Sequence, residues 1–264
     1  MLVSDLDGTL LDSKQQISTE NLEAIQTLKN NGGSFTIASG RMVQAAMPYI
    51  EQLKIDIPVI LYNGAVIYDP VERKIMMKKS LTEPKQVMRM IKPYTALGEV
   101  GILFYHDADV YALEKNSVVR AYENKEKVVC KIFSEELLEK PIIKILMISH
   151  VPSILTQCEV MLMASNYPCE LVYSESNYLE ILPETASKGT ALLTLQEYLQ
   201  PSNFHTICVG DNLNDLSMLQ AASKGFFVEN SHALLKQSEF YHCVHHEQHA
   251  IADIIYNHIL PVKM

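Results

Sequence analysis

Hydrophobic positions along the chain follow two rhythms. Leu2-Val3 and residues 35–38 and 59–62 are short apolar runs, the pattern of strands buried on both faces. Between the first two, Leu22, Ile25 and Leu28 recur at helical spacing over residues 18–30, and Asn31-Gly32-Gly33 closes the run. The rhythm returns near the C-terminus. Residues 191–199 and 215–222 read as helices, and 206–209 and 226–228 as strands. Short apolar strands alternating with helices predict parallel pairing through right-handed crossovers.

The middle of the chain reads differently. Residues 101–105 and 110–113 flank His106-Asp107-Ala108-Asp109 as an antiparallel hairpin would. Residues 142–148 form a longer apolar strand and 154–164 a helix, and 171–173 with 178–182 suggest a second hairpin. The pattern predicts an α/β fold: a doubly wound, mostly parallel sheet with an inserted α+β domain. The insert is expected over residues 82–184, with Pro84 and Pro183 near its edges, and residues 1–81 and 185–264 form the outer domain.

Composition narrows the partners. Hydrophobic residues make up 48% of 264, enough for a substantial core. Lys plus Arg is 22 against 31 Asp plus Glu, a formal net charge of −9, which argues against nucleic acid. No apolar run reaches the ~18 residues of a membrane span, so no membrane partner is expected. The first residues lack the basic and apolar regions of a signal peptide, and a cytoplasmic location is expected. The five cysteines form no Cys-x-x-Cys pair and read as reduced thiols. His245 and His249 could share a metal only within a helix, and a zincin pattern starting at His246 fails at Ala250. Nothing in the sequence sets an oligomeric state.

Candidate chemistry gathers at strand ends, where open α/β sheets bind ligands. Asp5-Leu6-Asp7-Gly8-Thr9-Leu10 follows the first strand, and its two acids can divide metal, nucleophile and acid–base duties. Solvated turn carboxylates are the plainer alternative; a calcium loop is disfavoured because its sixth position is Leu10 rather than glycine. Ser39-Gly40-Arg41 can offer a hydroxyl and backbone N–H groups to a phosphate. Lys188-Gly189 opens a predicted helix, where a surface lysine is the ordinary reading; the chain has no P-loop. Gly210-Asp211-Asn212-Leu213-Asn214-Asp215 supplies oxygens suited to a hard cation, and helix capping accounts for only one or two of them.

The ordered set resembles the haloacid dehalogenase superfamily of phosphohydrolases, and within it the Cof-type subgroup with a large α/β cap. Asp5-x-Asp7-Gly8-Thr9 is similar to the first motif, Ser39-Gly40-Arg41 to the second, Lys188-Gly189 to the third and Gly210-Asp211-x-x-Asn214-Asp215 to the fourth. Asn63-Gly64-Ala65 matches a turn common in the subgroup. The resemblance implies a Rossmann-like catalytic core and a cap over residues 82–184 that selects the substrate. It implies that Asp5 is the nucleophile and Asp7 the acid–base. Mg²⁺ would be held by Asp5, the backbone carbonyl of Asp7, and Asp211. Phosphoryl oxygens would meet Ser39, the N–H groups of Leu6 and Gly40, Lys188 and Asn214. Asp215 would orient Lys188 or a metal-bound water, Thr9 would shape the turn, and Arg41 and Asn63 would face the substrate. The implied activity is Mg²⁺-dependent hydrolysis of small phosphorylated metabolites, sugar phosphates or phosphorylated cofactors, through an aspartyl-phosphate. A phosphomutase or phosphotransferase of the same fold, and a non-catalytic sensor of phosphorylated metabolites, remain the alternatives. The hairpin residues Tyr105, His106, Asp107 and Tyr111 read more readily as solvated than as pocket lining.

Overall fold

The computed structural model describes residues 1–199 and 205–260. From the N-terminus, β1 (Leu2–Ser4) enters a turn at Leu6–Leu10, followed by α1 (Thr19–Asn30), β2 (Phe35–Ile37), α2 (Val43–Gln52), β3 (Val59–Leu61), β4 (Val66–Asp69) and β5 (Lys74–Lys78). The middle contributes α3 (Pro84–Ile91), β6 (Val100–His106), β7 (Asp109–Ala112), α4 (Ser117–Glu126), β8 (Lys131–Ile132), β9 (Lys144–Ser149), α5 (Pro152–Ala164), β10 (Cys169–Glu175) and β11 (Tyr178–Pro183). The last part contains α6 (Lys188–Leu199), β12 (Ile207–Gly210), α7 (Leu216–Ala221), β13 (Lys224–Val228), α8 (Ala233–Lys236), β14 (Tyr241–Cys243) and α9 (Ala250–Ile254). Contacts divide the chain into two units. One comprises Met1–Arg41, Ala46–Met77 and Ser187–Met264; the other comprises Met42–Ala45 and Lys78–Ala186.

In the first unit a parallel sheet runs in the order β14-β13-β12-β1-β2. β1 needs only three residues because it pairs on both sides, Leu2 facing Ile207 and Phe35. Its residues are fully buried, so alternation gives both faces an apolar covering. Val3, Cys208 and Phe227 pack on one face with Leu192 and Leu195 of α6 and Met218 of α7. Helices α1 and α9 pack together, and Ile25 and Leu28 of the one and Ile251 of the other are buried. Ser18 caps α1, accepting from Asn21 N at 3.2 Å. Beyond β2 the periodicity misleads. β3 meets β2 through a single parallel bridge, Ala38 to Ile60, then pairs antiparallel with β4 across a tight turn. Tyr62, expected at the end of a strand, begins that turn with φ +52°.

The second unit holds a six-stranded sheet, β10-β11-β9-β6-β7-β8, antiparallel except between β7 and β8. Its apolar cluster joins Ile102, Phe104 and Met147 of the sheet to Val87 of α3 and Leu155 and Leu162 of α5. Lys144 and Glu180 form an ion pair at 2.9 Å, each only 4% exposed, with the lysine ammonium 4.6 Å from the Tyr105 ring centroid. The solvated reading of the first hairpin is therefore wrong for Tyr105, which is 2% exposed and shares a 2.5 Å hydrogen bond with the Tyr122 hydroxyl. Asp107 does sit at the exposed tip, paired with Lys78 at 2.9 Å. No helix among the described residues is long and apolar enough to cross a membrane.

Candidate active site

Parallel pairing aligns the carboxyl ends of β1, β2 and β12, and this brings together residues up to 210 positions apart in the chain. Asp5 N donates to Val209 O at 3.0 Å, which fixes the first acidic turn beside the last. Asp5, Asp211 and Asp215 each bring a carboxylate oxygen to within 4.8 Å of the others. Lys188, fully buried at the start of α6, donates to Asp5 Oδ1 and to Asp215 Oδ1, each at 2.6 Å. Asp215 uses its other oxygen to accept from the N–H groups of Asp211 and Asn212, at 2.9 and 3.0 Å. Both its oxygens are thus committed, whereas Asp211 Oδ1 accepts from Thr9 Oγ1 at 3.1 Å. Gly8 has φ +77°, and a Cβ there would lie 2.6 Å from Asp211 Oδ2 and displace that carboxylate.

Charge is unbalanced here. Three carboxylates surround one buried lysine. Burial pushes Asp5 up to about 7; Lys188 opposes the rise, and the charges of Asp215 and Asp7 add to it. Burial and then the charges of Asp5 and Asp215 push Asp211 well above the carboxylate range. Burial alone would lower Lys188, but the charges of Asp215 and Asp5 more than reverse it, so the ammonium stays protonated. The carboxylates of Asp5 and Asp211 therefore form an all-oxygen pocket short of positive charge, which fits a hard divalent cation. Asn214 Oδ1 agrees with this: it is buried and has no hydrogen-bond partner among the described residues, which suits an acceptor facing a metal site.

The remaining motif residues take defined places. Ser39 is 1% exposed, and its Oγ accepts from Arg41 N at 3.2 Å. Gly40 lies against Asn63, whose Oδ1 accepts from Asn214 Nδ2 at 3.0 Å. Asn63 N donates to Ser39 O at 3.0 Å and Tyr62 N to Arg41 O at 3.1 Å, so the Tyr62–Gly64 turn latches the second motif to the fourth. Leu6 is buried in the first turn. The structure puts the Arg41 guanidinium on the Asp7 carboxylate, at 2.7 and 2.6 Å. Burial alone would raise Asp7, but the hydrogen bonds and charge of Arg41 and the contact with Gln15 outweigh it and hold the carboxyl below its usual range.

Two contributors were not legible beforehand. Asn230 Nδ2 donates to Gly8 O at 2.8 Å and braces the first turn; its only signal is an amide just past the end of β13. Gln15 reaches Arg41 from a loop with no motif at all. The histidines near the C-terminus take local duties. His245 caps a short 3-10 turn, His246 Nδ1 lies 2.8 Å from Leu11 O, and left-handed His249 breaks the helix that metal sharing would need.

A parallel α/β sheet that gathers four acidic side chains and a lysine at its strand ends forms a site suited to phosphoryl transfer. Residues 2–255 match the family of haloacid dehalogenase-like hydrolases, and the chain belongs to it. Its relatives place it with the Cof-type phosphatases. The phosphatase YwpJ of Bacillus subtilis is 27% identical over 286 residues, covering 98% of this chain and 99% of that protein. The pyridoxal phosphate phosphatase YbhA of Escherichia coli is 24% identical, with 98% of each covered. A haloacid dehalogenase-like hydrolase structure from B. subtilis is 26% identical, superposes with a TM-score of 0.84, and covers 98% of this chain and 99% of its own.

Proposed function

We propose that the protein is a Mg²⁺-dependent phosphohydrolase of small phosphorylated metabolites that works through an aspartyl-phosphate on Asp5. The observation that carries this reading is the buried Asp5–Lys188–Asp215 bridge beside the undercompensated Asp211 carboxylate. Asp5 attacks phosphorus; the new Oδ–P bond forms as the bond to the leaving oxygen breaks. Asp7, ionised against Arg41 at rest, takes up a proton from solvent before the step and delivers it to that oxygen; it then takes a proton from the water that attacks the phosphorylated Asp5 and releases inorganic phosphate. Two unit charges of like sign 4 Å apart repel by about 4 kcal/mol at an effective dielectric near 20, so an anionic nucleophile needs help. Mg²⁺, held by Asp5, the Asp7 carbonyl and Asp211, supplies part of that neutralisation when bound. Lys188 supplies the rest on the protein side, kept in place by Asp215.

Ser39 accepts from Arg41 N, which leaves its hydroxyl proton to donate to a phosphoryl oxygen. The N–H groups of Leu6 and Gly40 and the amide of Asn214 complete the cradle, Thr9 holds Asp211, and Asn63 holds Asn214. In the same reading residues 1–81 and 185–264 carry catalysis, and residues 82–184 select the substrate. Sugar phosphates and phosphorylated cofactors are the substrate classes proposed, the latter supported by the name of the E. coli relative.

The test is release of inorganic phosphate from a panel of phosphorylated metabolites and an aryl phosphate, with Mg²⁺ and with chelator. Asp5→Asn is expected to reduce release by at least about 1,000-fold. Equal rates for the two proteins would refute the assignment.

A further inference from the structure

The role of Arg41 follows from what its guanidinium touches. Nε donates to Asp7 Oδ2 at 2.7 Å and Nη2 to Asp7 Oδ1 at 2.6 Å, so the planar fork grips both carboxylate oxygens. The fork is itself restrained. Its carbon lies 5.1 Å from the ring centroid of Tyr49, and Nη2 also donates to Gln15 Oε1. Tyr49 Oη donates to Gln15 O at 3.1 Å, which fixes the loop carrying that amide. At its other end, the backbone of Arg41 is tied to Ser39 Oγ and to Tyr62 N. The arginine side chain is 15% exposed, whereas that of Asp7 is 45% exposed.

Asp7 adjoins Gly8 and sits half in solvent, conditions under which a side chain samples several rotamers. A proton donor must lie within hydrogen-bond reach of the leaving oxygen, and a misplacement of about 1 Å costs on the order of 100-fold. We infer that Arg41 is the positioning residue of the acid–base step: it sets the direction in which Asp7 presents its carboxyl group, and it does not serve as a substrate-binding cation. Gln15 and Tyr49 extend the same support outward. This inference rests on the proposed phosphohydrolase reading.

The measurement is single-turnover release of the leaving group, with Mg²⁺, from 4-nitrophenyl phosphate and from an alkyl phosphate such as β-glycerophosphate. The nitrophenolate departs without a proton, and the alkoxide requires one. Arg41→Met is expected to slow alkyl release by about 30-fold and aryl release by less than about 3-fold, with KM little changed. Arg41→Lys keeps the charge but not the fork, and is expected to show the same discrimination. Gln15→Leu, which leaves the fork intact but less supported, should show it at about 3-fold and guards against a folding defect in the arginine variants. An equal loss for both substrates, or a rise in KM at unchanged rate, overturns the proposal and makes Arg41 a substrate contact. Asp5→Asn in the same assay separates the failures. A parent rate insensitive to that change removes the phosphohydrolase reading and this inference with it; an Asp5-dependent rate without leaving-group discrimination removes this inference alone.

Discussion

Asp5 illustrates how a single residue can be a liability until its ligand arrives. Burial raises its carboxyl from 3.8 to about 7, so the folded chain holds that proton more tightly than the unfolded chain does. Its contribution to stability is therefore present at low pH and is lost as pH rises through about 7. In chelator, Asp5→Asn is expected to melt higher than the parent at pH 8, and the difference should shrink toward pH 4. Millimolar Mg²⁺ should reverse the order at pH 8, because a ligand at 100 times its Kd stabilises the parent by about 2.7 kcal/mol. Thermal melts of both proteins with and without Mg²⁺ read this directly; a parent unaffected by the metal would contradict the proposed ligand set. Asp5 and Asp211 were legible as candidates because each ends an apolar strand in an acidic turn. The Arg41–Asp7 bond was not, because nothing local distinguishes an arginine that reaches a carboxylate 34 residues away from one that reaches solvent.

At the level of elements, the Tyr62–Gly64 turn organises more of the site than any strand does. Three consecutive residues carry φ of +52°, +53° and +96°, a costly run for Tyr62 and Asn63 that persists because both backbone N–H groups are used. Gly64 also leaves room for the third motif: a Cβ there would lie 2.0 Å from Ser187 O. Gly64→Ala is expected to cost at least about 2 kcal/mol, since strain and backbone overlap combine. Gly32→Ala, at φ +82° with nothing within 4 Å, suffers the strain alone and should cost about 1 kcal/mol. Denaturant unfolding of the two variants compares them, and equal losses would show that the approach to Ser187 is unimportant. The sequence marked Asn63-Gly64 as a turn, but its neighbours were unreadable: the three strand-end loops it joins lie far apart along the chain.

For the whole molecule, continuity of chain sets a difference between the two units. Apart from the short piece Met42–Ala45, the second unit is the single segment 78–186, with its own sheet and apolar cluster. The other unit depends on β12 pairing with β1 across more than 200 residues. An isolated 78–186 fragment is expected to unfold cooperatively, whereas 187–264 alone is expected to remain unfolded, because its sheet loses β1 and β2. Far-UV circular dichroism and thermal melts of the two fragments check this. The buried Lys144–Glu180 pair lies within residues 78–186. Lys144 was visible as a charge within an apolar run, but its partner was not, since β11 lies beside β9 only in the folded sheet.

Local physics gave the sequence its authority over elements and turns: apolar periodicity, helix caps and the backbone freedom of glycine act within a few residues and can be read without a fold. It placed the acids at strand ends and the lysine at the start of a helix. Only the tertiary structure decided which oxygen each would face, that Asp215 spends itself on Lys188, and that Arg41 grips Asp7. Those outcomes depend on the angstrom-scale approach of loops brought together by parallel pairing, and sequence separation carries no information about that distance.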